Sequence, residues 1–132
     1  MIEIDQALYS KLSGGTALIT ALGGTAIYAQ EAPEGAALPF VVFNFAGGGR
    51  EFINPSPLTN VVYYVTAYAA TRAQAGTIAG LVDALLNGGS ITVSGYTNFD
   101  THGEEFLPIP VDHTNAAPVY GSGRVYRIRI DS

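Results

Sequence analysis

From Val61 to Tyr68 the chain reads Val-Val-Tyr-Tyr-Val-Thr-Ala-Tyr and then passes almost at once into a helix-forming run that lasts to Asn87. A period of two places Val61, Tyr63, Val65 and Ala67 on one face of a strand and Val62, Tyr64, Thr66 and Tyr68 on the other. Neither face is suited to water, so this strand belongs within a sheet. Thr71 and Gln74 form the S/T-x-x-E/Q pattern of a capping box, and Gly88 and Gly89 supply a left-handed stop after Asn87. The helix limits are therefore well marked.

At 3.6 residues per turn, Ile78, Leu81, Val82, Leu85 and Leu86 fall on one stripe of that helix, the spacing of a core-facing side. Burying these side chains contributes about 10 kcal/mol before chain entropy, at about 1.5 to 3 kcal/mol each. The opposite side carries Ala73, Gly76, Thr77, Gly80, Ala84 and Asn87, with Asp83 near its margin, where a solvated helix normally shows Lys, Glu and Arg. Each interior glycine costs about 1 kcal/mol relative to alanine, a loss that close approach of another backbone offsets. Two readings stay open: a second packed face, against the N-terminal helix or a neighbouring subunit, or a spill-over from a chain with 16 glycines.

Composition bears on that choice. Only 13% of the 132 residues are charged against about 25% in ordinary soluble domains, while 48% are hydrophobic. Permanent contacts with other subunits explain such a weakly charged exterior; a β-rich domain relying on Ser, Thr, Asn and Gly is the other explanation. The length suits a single domain over residues 1–132. A net charge of −5 with six Lys and Arg argues against gripping nucleic acid through its phosphates. Three of those six, Arg124, Arg127 and Arg129, lie near the C-terminus, where alternation from Val125 to Ile130 sends Tyr126, Ile128 and Ile130 one way and Val125, Arg127 and Arg129 the other. A half-buried strand with a solvated basic face is expected there. Without cysteine, disulfides and thiolate metal sites are excluded. No apolar run approaches the roughly 20 residues that span a bilayer. The N-terminal Met-Ile-Glu-Ile-Asp-Gln lacks the basic and apolar regions of a secretory signal, so synthesis in the cytoplasm is expected.

Ile4, Leu8 and Leu12 recur at helical spacing before Gly14 and Gly15, and Thr16 is placed to cap a second short helix carrying Leu18, Ile19 and Leu22. Thr25 to Gln30 reads as a strand, Glu31 to Leu38 as a loop, and Phe40 to Phe45 as a strong strand closed by Gly47, Gly48 and Gly49. Arg50 to Pro57 is then a loop or the tip of a long hairpin. Ser90 to Ser94 and Tyr96 to Phe99 read as short neighbouring strands across Gly95, Asp100 to Pro118 as poorly patterned and broken by Pro108, Pro110 and Pro118, and Arg124 to Asp131 as the closing strand. The expected fold class is α+β: a mostly antiparallel, mixed sheet of about four to six strands with helices packed on one face.

Catalytic patterns are weak. Gly47-Gly48-Gly49-Arg50 lacks the Lys-Ser/Thr ending of a phosphate loop, and Tyr120 stands where a nucleophile elbow around Ser122 needs glycine, so both stretches read as turns. Asp100, His102, Glu104, Glu105, Asp112 and His113 contain donors for zinc or a hard metal, but their spacing matches no helix-borne ligand pattern, and exposed loop residues are expected instead. No catalytic, cofactor-binding or metal-binding residue is assigned, and no cofactor is expected. Phe52 and Ile53 are large apolar residues in a Gly- and Pro-rich stretch, which suits contact with a partner or a fold back onto the core.

The order of parts resembles the tail-completion proteins of tailed phages, the group that includes tail terminators similar to minor tail protein U. The resemblance rests on Ala7, Leu8 and Leu12, on Leu22-Gly23-Gly24, on Ala26-Ile27-Tyr28, on Leu38-Pro39-Phe40-Val41-Val42-Phe43, and on the strand, helix and closing strand at Val62 to Tyr68, Arg72 to Leu86 and Val125 to Ile130. It covers about two thirds of the chain and leaves Asp100 to Pro118 unaligned. It implies a non-enzymatic virion protein of the tail or neck, forming a ring, commonly a hexamer, between the tail tube protein and the head-to-tail connector, or stopper. DNA would pass through the lumen without specific binding, no membrane would be involved, and assembly would take place in the host cytoplasm. The interface candidates are Arg50, Phe52 and Ile53 in the loop and Gly76, Gly80 and Ala84 on the helix. Another neck or tail-tube subunit and a small metal-dependent enzyme built around His102 and His113 are the alternatives.

Overall fold

A computed structural model describes residues 2–33, 36–51, 58–88, 91, 97–107, 109, 111 and 118–131. Helices α1 (Ile2–Ser13) and α2 (Thr16–Leu22) precede strands β1 (Ile27–Ala29), β2 (Phe40–Glu51) and β3 (Leu58–Ala69); helix α3 (Arg72–Leu86) follows, then β4 (Thr97–Leu107) and β5 (Tyr120–Asp131). The strands form a five-stranded sheet in the order β1-β2-β3-β5-β4. Only β1 against β2 is parallel, so the sheet is mixed and mostly antiparallel, and with the helices the fold class is α+β.

Alternation decides which face is covered. Val41 and Phe43 of β2, Val61, Tyr63, Val65 and Ala67 of β3, and Tyr126, Ile128 and Ile130 of β5 point into one core with Ile4, Leu8 and Leu12 of α1, Leu18 and Leu22 of α2, and Ile78, Val82 and Leu86 of α3. Leu81 and Leu85 pack against its margin, so the expected stripe of α3 is the buried one. At its start the Thr71 side chain accepts a hydrogen bond from the Gln74 amide at 3.2 Å, and past its end Gly88 adopts φ +74°. Helix α2 differs from expectation in its cap. Gly15, without a side-chain cap bond, holds that position and Thr16 is already helical, because a Cβ at residue 15 would run into Leu85 of α3.

Three further expectations are corrected. Gly47 to Gly49 do not close β2: the strand continues through them to Glu51, paired with β3 down to Leu58 and re-registered by a bulge between Phe45 and Gly47. The hairpin alternative for Arg50 to Pro57 is thus the one realised, with its tip, residues 52–57, outside the described residues. Of the stretch expected to be poorly patterned, Asp100 to Leu107 is regular, since Thr97 to Leu107 form a long strand against β5, broken in register at Asn98/Asp100 and at Gly103/Phe106; residues 108, 110 and 112–117 lie outside the described set. Each bulge adds a residue on one strand and shifts the inside–outside alternation, which erases the period of two that would mark the strand. Thr97 and Asn98 pair with β5, and the expected pairing of Tyr96 to Phe99 with Ser90 to Ser94 falls on residues 90 and 92–96, outside the described set. Gly121-Ser122-Gly123 is strand and not turn. Gly121 leaves room for Ile109 against Tyr68, and a Cβ on Gly123 would come within 2.7 Å of Thr66 Oγ1.

Candidate assembly surfaces

Two buried tyrosines tie helices to the sheet. Tyr63 of β3 donates from its hydroxyl to Asp5 of α1 at 2.6 Å, and Tyr126 of β5 donates to Asp83 of α3 at 2.8 Å. Burial first, and the neighbouring carboxylate second, push both phenols well above their ordinary value near 10. Asp83 also receives Arg124 Nη1 at 2.9 Å, while Arg124 Nε donates to the Glu104 carbonyl at 2.9 Å and the guanidinium lies 4.6 Å from the centre of the Phe106 ring. Arg124 thus stands on the helix side of the sheet, where it binds α3 to the bulged part of β4. The sequence placed Asp83 only near a helix margin and offered no sign of these partners.

Beside this node lies a cleft of about 280 Å³ between α3 and β5, with Gly76, Ala79 and Gly80 on its helical wall, Ser122 and Gly123 on its floor, and Phe106 at its rim. It continues toward Arg72 into a larger depression bounded by Leu107, Ile109 and Val111. Both Gly76 and Gly80 are exposed, and a Cβ built on either meets nothing within 4 Å. Packing of this face against the N-terminal helix of the same subunit is therefore corrected: α2 and α1 meet α3 along its other side, through Leu85 and the core stripe. The small residues border open space.

Large exposed apolar side chains gather at the two margins of the sheet. Phe106, 73% exposed, and Val111 flank the cleft on the β4 side. On the opposite side stand Tyr9 of α1 at 41% and Phe45 of β2 at 46%, the latter 5.7 Å edge-on to Tyr63. Strand β1 reaches only as far as Ala29 opposite Phe43, so β2 from Asn44 onward has no described neighbour on its outer edge. The β4 edge is treated differently. Gly88 donates to the Thr101 carbonyl at 2.8 Å and Asn87 Oδ1 accepts from the Gly103 amide at 3.0 Å, so the turn after α3 occupies that edge at mid-strand.

On the sheet face away from the helices, His102 Nε2 lies 3.8 Å from Glu104 Oε2, which accepts from Arg127 Nε at 2.8 Å. The Arg127 hydrogen bond holds the Glu104 carboxyl below its ordinary value. Among the described residues no group of three or more His, Asp and Glu side chains gathers as a metal would require. His113 and Asp112 lie outside the described residues. After dialysis, purified protein is expected to carry no stoichiometric zinc or manganese by elemental analysis; metal that disappears in His113→Ala would overturn this.

A family model described as tail completion protein gp17 matches residues 6–102. The chain belongs to this family. Its members are structural proteins of the phage tail. Among solved structures, a chain from the virion of a native gene transfer agent particle superposes with a TM-score of 0.70 at 20% identity, covering 96% of this chain and 93% of that one. A second solved chain gives a TM-score of 0.60 at 13% identity over 98% of this chain and 94% of its own. Both share the fold. No curated protein matches the sequence.

The interface candidates of this tail-completion chain fall into two groups. Gly76, Gly80 and Ala84 line one exposed side of α3. Arg50 is in β2 with its backbone opposite Thr59, its side chain outside the described residues together with Phe52 and Ile53. Of the first group, Gly76 and Gly80 line the cleft while Ala84 is exposed on the helix outside it, and the side chains of the second group lie outside the described residues. Tyr9, Phe45 and Phe106 were not singled out from the sequence, which does not show whether an aromatic is covered until the neighbouring elements are in place.

Proposed function

We propose that the chain forms a closed ring, commonly a hexamer in proteins of this kind, that ends the tail tube and joins it to the head-to-tail connector. The observation that carries this reading is the open, small-residue side of α3 beside an apolar cleft, in a chain with only 13% charged residues that belongs to a tail-completion family. A ring needs a heterologous contact, one face of a subunit meeting a different face of the next. Glycines at 76 and 80 let a neighbouring backbone approach closely. The net charge of −5 per subunit, repeated around a lumen, repels phosphates and lets DNA pass without binding. The test is location and stoichiometry in the particle: labelled protein at the head end of the tail, in ring copy number, supports the reading, and a single copy or absence from that position overturns it. A monomer in dilute solution is compatible, since closure can await the tube.

Gly80→Ala separates the two roles of the small-residue face. With nothing within 4 Å of the added methyl, helix propensity alone acts on the monomer, and its stability is expected to rise by up to about 1 kcal/mol in urea melts. Ring formation is expected to weaken, because the methyl crowds the approaching neighbour. A stabilised variant that assembles as well as the parent places the interface elsewhere. The hairpin tip is the second contact proposed, directed axially toward the tube or connector. Replacing Phe52 and Ile53 with Ser is expected to leave the melt unchanged and to reduce tail completion in a complementation assay; loss of the cooperative melt instead assigns both residues to the core.

A further inference from the structure

We infer that the cleft between α3 and β5 is filled, in the ring, by the Tyr9–Phe45 patch of the adjacent copy. This rests on the ring reading above and names the two halves of its contact. The described large exposed apolar residues divide by margin: Phe106 and Val111 beside the cleft, Tyr9 and Phe45 across the molecule, and Tyr64 alone on the open sheet face. The first pair borders a concavity walled by Gly76, Ala79 and Gly80, the second projects from a helix and a strand edge. Cleft against cleft would leave both hollow, and patch against patch would leave both clefts open. Only head-to-tail pairing places aromatic bulk where the helix lacks side chains.

Two further features favour a second copy as the occupant. The patch lies where β2 loses its outer neighbour after Phe43, so docking there also covers an exposed strand edge that would otherwise be a liability. Tyr9 and Phe45 sit on either side of one fixed point: Asp5, one helical turn from Tyr9, accepts from Tyr63, and Phe45 packs edge-on against the Tyr63 ring. Tyr63 thus ties together the helix and the strand that carry the patch.

The chain has no cysteine, which permits a direct test. Chains carrying Ser10→Cys beside the patch, Thr77→Cys beside the cleft, or both, at exposed positions that leave Tyr9, Phe45, Gly76 and Gly80 intact, are assembled on tail tubes that lack the protein and treated with a short bismaleimide. The double variant is expected to give a ladder of covalent oligomers ending at the closed ring, at least about tenfold more product than either single variant. Equal cross-linking by Ser10→Cys alone means like-to-like pairing and overturns the inference. Rings seen by electron microscopy without a ladder overturn the contact but leave the ring standing; absence of rings from the unmodified chain on tubes removes both. Phe45→Asp gives an independent measure, with ring formation expected to fall at least about tenfold, beyond the smaller loss of monomer stability in urea that follows from removing the ring contact with Tyr63. Undiminished ring formation by that variant counts against the patch.

Discussion

Raising the pH from 10 to 12 is expected to remove about 5 kcal/mol of folding stability through Tyr63 and Tyr126 alone. Unfolded, each phenol ionises near its ordinary value of 10; folded, each is buried, donates to a carboxylate and keeps its proton well beyond that value. The unfolded chain therefore holds fewer protons than the native one above pH 10, and stability falls as pH rises. Below pH 10 both states hold the proton and the contribution is constant. Each tyrosine adds a slope of about 1.4 kcal/mol per pH unit, until the pH reaches its folded value. Urea melts at a series of pH values give the slope directly, and Tyr63→Phe with Tyr126→Phe should flatten it while costing about 1.5 to 3 kcal/mol per lost charged hydrogen bond at neutral pH. An unchanged slope in the double variant would mean that neither phenol is held as the structure has it.

These tethers mark the boundary of what the sequence could disclose. Helical period and cap residues predict α1 and α3 because each signal is local: Ile4, Leu8 and Leu12 repeat at one spacing, and Thr71 reaches the Gln74 amide three residues on. The strand around Val61 to Tyr68 is legible for the same reason. Strand β4 is not, because bulges at Asn98/Asp100 and Gly103/Phe106 shift its alternation and place Thr101 in the core while Phe106 stands exposed. Glycine misled twice in the other direction. Gly47 to Gly49 and Gly121 to Gly123 look like turns, yet both stretches are paired strand; at 121 and 123 the missing side chain is what admits Ile109 and Leu107.

The candidate site follows the same division. The unusual composition of the α3 face was plain from helical geometry, whereas its exposure was not, since a helix wheel shows which residues share a side and not what stands opposite. The alternative of packing on α1 fails because α1 and α2 sit across the core stripe, leaving Gly76 and Gly80 beside the cleft. Asp83 illustrates the limit most clearly. Its partners lie about 40 residues along the chain, and the alternation that puts Arg124 on the side of Tyr126 does not say that α3 stands opposite them.

Asp83→Ala is therefore expected to be the most damaging change outside the apolar core, at about 2 to 4 kcal/mol. One carboxylate oxygen accepts from both Arg124 and the Tyr126 hydroxyl. Removing it leaves a buried phenol without its acceptor and a guanidinium whose remaining ties are the Glu104 carbonyl and the Phe106 ring. Fully buried pairs lose about 3 to 5 kcal/mol when one member is deleted, and exposed pairs lose about 1 or less. Here the side chains of Arg124 and Asp83 are 21% and 33% exposed, which places the pair between those limits, and the lost tyrosine bond adds to it. Asp83→Asn retains an acceptor for Tyr126 and gives up the charge, so a smaller loss of about 1 to 2 kcal/mol is expected. A double-mutant cycle with Arg124→Met isolates the pair, with a coupling of about 1 kcal/mol or more expected. Because Arg124 also holds Phe106 at the rim of the cleft, both Asp83 variants should weaken ring assembly beyond their effect on the monomer melt. Assembly that follows monomer stability alone would confine the node to the fold of the single subunit.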